Sequence, residues 1–227
     1  MVNGQVIISL LFGDKLNSGK VEFGLDGGIN FPTQAGVSGA KMYANFNLGF
    51  YFDIRLKNSW MIYTGVLVKS NMGADHLPVY SVDDPALDSS FTGGSITRKL
   101  NYFNVPFTAK YVFSNHIFLE AGTMLGLLYK AFDEFHNTVN GSDLSYRVNI
   151  RDQFYALDAG LLLGAGWRMM KGNGINFAVR YYFGLVNVMK TNVDGSVMNQ
   201  NLYINVGIPV GAGKAREKAK AQEGIKK

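Results

Sequence analysis

Ionisable side chains recur at alternate positions of segments that are otherwise apolar. Acids and bases on one shared face can neutralise one another in a confined interior, where an unpaired charge is costly. We therefore expect an interior salt-bridge network centred on Glu120, with a narrow ion or proton path as the alternative. The candidates are Glu22, Asp26, Asp53, Lys110, Glu120, Asp158, Arg168 and Arg180, and the same alternation turns Lys41, Arg55 and Lys69 inward.

Three histidines and the acidic residues near them could support a different chemistry. A hydrolase needs a base within hydrogen-bond reach of its nucleophile and a third group to orient that base, and no local motif supplies this arrangement. Four acids could bind calcium but lack the spacing of a calcium loop. We predict no catalytic residue, no metal site and no cofactor. These residues are His76, His116 and His136, and Asp75, Asp83, Asp84 and Asp88.

A period of two in hydrophobicity defines the elements that must position these side chains. It is clearest over residues 21–31, 42–55 and 201–210, where apolar residues alternate with Gly, Asn, Tyr and charged residues. Weaker copies cover 60–70, 100–113, 116–130, 153–168 and 175–187. The pattern predicts eight strands, since no helix keeps side chains at that spacing on one face.

The connections between these strands alternate in length. Residues 57–59, 114–115 and 169–174 are short and rich in turn-forming residues. The connections near 33–41, 70–98, 131–151 and 188–199 are longer and more polar. Short turns at one end and long loops at the other indicate a transmembrane barrel with periplasmic turns and extracellular loops.

The composition agrees with an all-β, eight-stranded, antiparallel up-and-down transmembrane barrel. The 227 residues include 17% charged residues and no cysteine, which excludes a disordered chain and a disulfide scaffold. The apolar runs 6–13 and 159–167 are shorter than the roughly 20 residues of a spanning helix. A soluble lipocalin-like barrel, with its apolar face inward, is the alternative.

Aromatic residues near the strand ends favour the membrane barrel over the soluble one. They lie on the apolar face, and both tryptophans are beside short turns, as in the interfacial girdles of such barrels. The predicted girdle comprises Trp60, Trp167, Phe52, Tyr111, Phe113 and Tyr129.

An ordered set of short motifs runs through the predicted strands. The set begins with Tyr102-Phe103-Asn104-Val105-Pro106 followed by Lys110-Tyr111, and continues with Leu119-Glu120-Ala121-Gly122. It then includes Gly160, Gly164 and Gly166, Arg180-Tyr181-Tyr182, Gly184-Leu185 and the closing 201–210 strand. In this order the motifs resemble those of the PorT-like outer-membrane barrels of Bacteroidetes, a porin family. The resemblance covers about residues 19–210 and implies an eight-stranded outer-membrane barrel, with some members linked to gliding or type IX secretion. It supplies no catalytic residues.

The two ends of the chain fall outside the predicted barrel of residues 19–210. Residues 1–18 are expected to be a signal-peptide remnant or a periplasmic lead-in, with a mature start near Gln5 in a truncated chain. The tail, 211–227, has six basic and two acidic residues, which gives it +4 of the net +5. It could bind a periplasmic partner or anionic lipid, or be a solvated tail.

These observations predict a non-enzymatic protein of a Gram-negative outer membrane, with periplasmic termini and a polar interior filled by side chains. A structural role, or one in secretion or surface interaction, is the main hypothesis, and a small passive pore is the alternative. The expected partners are outer-membrane lipid and periplasmic or secretion-system proteins, with no nucleic acid. The barrel is expected to be a monomer.

Overall fold

The computed structural model describes Leu16, Ser18 and residues 20–169, 174–190 and 195–210. The termini predicted to be a lead-in and a basic tail lie outside the described residues, apart from Leu16 and Ser18. The strands are β1 (Val21–Ala35), β2 (Asn45–Arg55), β3 (Trp60–Lys69), β4 (Asn71–Leu77), β5 (Ser95–Val112), β6 (Ile117–Val139), β7 (Ser142–Asn149), β8 (Leu157–Arg168), β9 (Asn176–Gly184) and β10 (Met198–Pro209).

All ten of these strands belong to one antiparallel sheet, in the order β4-β5-β3-β2-β1-β10-β9-β8-β6-β7. A further pairing of β5 with β6 closes the sheet. The closed ring therefore contains eight strands, and β4 and β7 extend it at one end. The predicted all-β antiparallel fold with eight strands around the ring is confirmed.

Alternation along each strand separates a polar inside from an apolar outside. In β1, Asp26 and Asn30 are buried while Ile29 is half exposed. In β10, Asn205 is buried while Ile204 is half exposed. This polarity is the reverse of a lipocalin, in which the apolar face points inward and the charged face meets water. The lipocalin-like alternative is therefore wrong.

The two ends of the barrel differ in their connections. Residues 56–59 and 113–116 form short connections at one end, which we call the turn end, and the pairing of Arg168 with Asn176 places the end of β8 and the start of β9 there too. At the opposite end, the loop end, the predicted loops 70–98 and 131–151 are largely secondary structure. The first contains β4, helix α1 (Pro85–Phe91) and the start of β5, and the second contains the end of β6, β7 and the first residue of the 3-10 helix Arg151–Gln153.

The loop end is thus an extension of the sheet rather than a set of irregular loops. The 23-residue β6 continues well beyond the ring and turns into β7 through Asn140 and Gly141, both with positive φ. Asp84 caps α1 by accepting hydrogen bonds from the backbone N–H groups of Ala86 and Leu87. Among the described residues, no helix is both long enough and apolar enough to cross a membrane.

Glycine on the inward face makes room for large interior side chains. A Cβ at Gly24 would lie 2.3 Å from the Tyr51 ring, and one at Gly164 would lie 2.9 Å from both Arg180 and Glu120. Such approaches are too close for any side chain, so the glycines of the polar face are a packing requirement of the interior.

Candidate functional site

The interior charges near the turn end come from strands on different sides of the barrel. Arg168 on β8 donates to Glu22 on β1 at 2.5 Å, and its second terminal nitrogen lies 3.5 Å from Asp53 on β2. Lys110 on β5 donates to both carboxylate oxygens of Asp53, at 2.8 and 3.1 Å. These four side chains are almost fully buried, so the carboxylates and cations offset one another's desolvation.

The network continues from Lys110 toward the middle of the barrel. Lys110 lies 4.0 Å from Glu120, which accepts a hydrogen bond from Arg180 Nε at 2.5 Å. Arg180 also donates to Asp26 at 2.9 Å, and the Tyr63 hydroxyl donates to the same carboxylate at 2.5 Å. Seven of the eight predicted charges therefore form one chain of contacts across the lumen.

Asp158, the eighth predicted residue, has a different environment. Its carboxylate accepts hydrogen bonds from the Tyr182 hydroxyl at 2.9 Å and from the Asn199 amide at 2.8 Å. Within the described part of the chain, no basic side chain forms an ion pair with it. The expected salt bridge to Asp158 is therefore wrong, because tyrosine and asparagine satisfy the carboxylate instead.

Three further charges that were predicted to point inward are exposed. Arg55 lies at the turn end of β2, and Lys41 lies in the β1–β2 connection, where its backbone bridges Asp75. Lys69 is turned outward by a β-bulge, since Lys69 pairs with Leu48 while Leu67 pairs with Gly49. The extra residue, Val68, reverses the alternation at that point, as β-bulges do.

Apolar and aromatic side chains fill the lumen above the charge network. This plug consists of Leu67, Met72, Leu100, Tyr102, Met124, Leu128, Ala131, Ile150, Phe154, Leu162, Tyr182, Val188, Val197 and Tyr203. Two small cavities are lined by the plug and the network, each of about 10 Å³. Since a water molecule needs roughly 10–15 Å³, each cavity has room for one water at most.

The predicted girdle residues lie on the outer surface at two levels. Near the turn end, Trp60 packs edge-on against Tyr111 at 5.1 Å between ring centroids, and Tyr111 packs against Phe113 at 4.9 Å. Trp167 is close by, paired with Ile117 at the start of β6. Phe52 lies on the neighbouring β2, opposite Thr64 and so four residues further from the turn end than Trp60, and it contacts Phe23.

Tyr129 lies at the other level, near the loop end, stacked on Phe103 at 4.6 Å. Phe103 lies within β5 and Phe113 directly follows it, so the two are ten positions apart. Ten residues of extended chain span about 33 Å, which a tilt of roughly 40° reduces to about 25 Å, the height of the apolar band of such barrels.

A second cluster of charges, not predicted from the sequence, holds the extension together. Arg98 donates two hydrogen bonds to Asp133, both at 2.9 Å, and both residues point inward above the plug. On the outer surface, Glu134 accepts hydrogen bonds from Lys99 and Arg147. Burial acts to raise the pKa of Glu134, but these two hydrogen bonds and the charges behind them outweigh it and lower the pKa.

The histidines and acids of the loop end make local contacts, among them a hydrogen bond of 2.8 Å between the His76 ring and the Asp75 carboxylate. His76 and His136 line an open groove of about 640 Å³ together with Ser95, but no hydrogen bond joins either histidine to that serine in the described chain. Asp88 accepts hydrogen bonds from Ser81 and Val82, which lower its pKa. Among the described residues, no group of three or more potential ligands is placed to hold a metal ion.

Comparison with known proteins identifies a family and several similar folds. A profile of the outer membrane protein beta-barrel domain matches residues 12–190. Ail, the attachment invasion locus protein of Yersinia pestis, shares 13% identity over 84% of this chain and 99% of its own, with a TM-score of 0.41. Neisserial surface protein A shares 11% over 82% and 96%, with a TM-score of 0.39.

A third similar structure is the N-terminal β-barrel domain of Pseudomonas aeruginosa OprF, at 8% identity over 84% of this chain and 99% of that one, with a TM-score of 0.33. No curated protein matches the chain. The family profile alone covers well over half of the sequence, and it spans most of the closed ring. The chain therefore belongs to the outer membrane protein β-barrel domain family.

Proposed function

We propose that the protein is a closed, non-enzymatic barrel that anchors a sheet extension at the cell surface, where the extension makes structural or surface contacts. The observation that carries this proposal is the filled lumen. The charge network occupies the half near the turn end, and the apolar plug occupies the half near the loop end. A water-filled path through both halves would require large movements of buried side chains.

The extension supports the surface role. It consists of β4, α1, β7 and the parts of β5 and β6 beyond the plug, with a small core of its own. That core comprises Ala74, Leu77, Phe91, Ile96 and Phe135. A packed core and an internal Arg98–Asp133 ion pair make the extension an ordered platform, which is what specific recognition of another surface requires.

The motif residues support assignment to the PorT-like barrels of Bacteroidetes. Lys110, Glu120 and Arg180, which come from three separate motifs, meet in the lumen. Tyr102 and Tyr182 pack together in the plug. By this assignment the turn end and both termini face the periplasm, where secretion-system or other periplasmic proteins are the expected partners, and the barrel acts as a monomer.

Conductance measurements test the closed lumen against the alternative of a small passive pore. The full chain, folded into planar bilayers, is expected to show no steady single-channel current. The double variant Tyr102→Ala/Tyr182→Ala removes two large rings from the plug and should give brief openings, which establishes that the assay detects an opened barrel. Steady conductance by the unaltered protein would show that the barrel is a pore.

A further inference from the structure

Basic side chains gather on the outer wall immediately beyond the aromatic level of the loop end. Lys69 on β3, Lys99 on β5, Lys130 on β6 and Arg147 on β7 lie on consecutive strands of this wall, and we call them the basic sector. Lys99 is partly exposed, and the other three are exposed. At the same end, the adjoining strands β8 and β9 expose apolar side chains, with Leu157 at the start of β8 and Leu185 just after β9 among the most exposed.

Two β-bulges turn the key lysines of this sector outward. The bulge at Val68 places Lys69 on the outer face of β3. On β6, Asn101 pairs with Lys130 while Tyr102 pairs with Leu128, so Tyr129 is the extra residue. Without these bulges both lysines would alternate into the lumen, where the plug leaves no space for a charge.

Both lysines lie where the apolar band gives way to polar surroundings. The Lys69 ammonium is 5.4 Å from the centroid of the outward-facing Phe46 ring. Lys130 follows Tyr129, whose ring stacks on Phe103. Aromatic rings at this depth mark the level of lipid headgroups, and a lysine beside them reaches the headgroups with its ammonium.

The basic sector carries more positive charge than its own acids can balance. Lys99 and Arg147 share one carboxylate, that of Glu134. Lys69 and Lys130 have no acidic partner within the described chain, and Asp152, an exposed acid on the nearby 3-10 helix, makes no ion pair with either. The four cations therefore have one carboxylate partner between them, that of Glu134.

We propose that the basic sector binds the phosphate groups of the phosphorylated glycolipid that forms the outer leaflet of a Gram-negative outer membrane. The inference rests on the loop end facing the cell exterior, as proposed above. Charge complementarity and depth both point to a lipid ligand, because a cation at the headgroup level of the wall meets membrane-bound phosphate first. Lys69 and Lys130 are the principal contacts, and Lys99 and Arg147 contribute the charge that Glu134 leaves unbalanced.

The test measures retention of a fluorescent bisphosphorylated lipid A by the purified full chain in neutral detergent micelles. In micelles the result does not depend on membrane orientation or on conductance, so its failure is distinguishable from failure of the proposed function. The Lys69→Gln/Lys130→Gln variant should bind about twenty-fivefold more weakly, since each headgroup-level lysine typically contributes about a fivefold effect. The Lys69→Arg/Lys130→Arg variant should retain binding.

The matched control is Lys20→Gln/Lys57→Gln, which removes the same charge from exposed lysines near the turn end. Its affinity should be unchanged, and heat-modifiable gel migration should show that all variants fold. Equal weakening by both Gln pairs, or no weakening by Lys69→Gln/Lys130→Gln, would overturn the proposal. Equal retention of dephosphorylated lipid A, or displacement by free inorganic phosphate at comparable concentration, would also overturn it.

Discussion

Each interior cation contacts carboxylates from two strands other than its own. Arg168 lies between Glu22 and Asp53, and Lys110 lies between Asp53 and Glu120. Arg180 continues the series by joining Glu120 to Asp26. Lys110 and Glu120 are directly opposite on the neighbouring strands β5 and β6, but each of the other contacts passes over at least one strand. The network therefore ties together strands that share no backbone hydrogen bonds. Loss of a cation leaves two buried carboxylates without their shared partner.

Arg180→Met is therefore expected to destabilise the barrel strongly. The methionine approximates the volume of the arginine stem but leaves Asp26 and Glu120 buried without their common cation. Breaking a buried pair in this way typically costs about 3–5 kcal/mol. The free energy of unfolding, measured by urea titration of the barrel in lipid bilayers, should fall by that amount.

Asp158→Asn is the matched control for a charge that has no cationic partner. The asparagine oxygen can still accept a hydrogen bond from Tyr182, and a buried negative charge is removed. We expect a change within about 1 kcal/mol, in either direction, since a neutral hydrogen bond is typically worth that much. A similar loss of stability in both variants would argue against an ionic network and for simple packing.

The interior residues could be predicted from alternation, and the errors have physical reasons. The alternation of inward and outward residues along a strand places Lys110, Glu120 and Arg180 on the inward face, even when the residues that they contact are not known. The prediction from this alternation is wrong for Lys69, because a β-bulge of one residue cannot be recognised in the hydrophobic pattern. The partners of Asp158 depend on which strands meet across the lumen, which no local sequence pattern contains.

Among the elements, the β6–β7 hairpin is the one that the sequence pattern misrepresents most. Residues 131–151 are polar on the outer face and were expected to form a loop, yet Ala131, Asp133 and Phe135 continue inward in alternation. The bulge at Tyr129 shifts this alternation and obscures it. Asn140-Gly141 is the strongest short hairpin signal in a sequence, and it identifies the turn correctly.

Low pH and the substitution Glu134→Gln should each reduce the stability of the β6–β7 hairpin. Glu134 lies beyond the apolar band, and its pKa in the folded protein is below the ordinary value of 4.5. Its stabilising contribution is therefore full at neutral pH and disappears as the pH falls below 4.5 through the folded-state pKa. Because Lys99 and Arg147 are partly exposed, the effect should be near 1 kcal/mol, or about fivefold in amide exchange of β7.

Hydrogen exchange followed by mass spectrometry measures the expected increase in amide exchange of β7, with the barrel strands as an internal reference. Asp143→Asn is the matched carboxylate-to-amide control on the same hairpin, since Asp143 accepts a hydrogen bond from the neutral Thr138 hydroxyl and forms no ion pair with any described residue. It should leave β7 exchange nearly unchanged. Faster exchange in Asp143→Asn than in Glu134→Gln would contradict the role given to the Lys99–Glu134–Arg147 contacts.

For the whole molecule, the low charge content follows from a wall with two different sides. The outer side faces lipid and excludes charge over the height between the two aromatic levels, so ionisable groups are confined to the lumen, the extension and the connections. This division is what made the fold predictable from the sequence. The lengths and folding of the loop-end segments were not predictable, because these segments lie outside the lipid, where charge is not excluded from the outer face.

Orientation in the membrane is the property of the whole molecule that remains to be measured, and the absence of cysteine makes the measurement direct. Ser142→Cys lies at the tip of the β6–β7 hairpin and Ser114→Cys in the β5–β6 turn, both exposed and at opposite ends. A membrane-impermeant maleimide added to intact cells should label Ser142→Cys at least tenfold more than Ser114→Cys. Lysed cells should label both alike, because each serine is equally open to solvent once the membrane is breached. The opposite preference in intact cells would place the extension in the periplasm, and the surface role proposed for it would then be wrong.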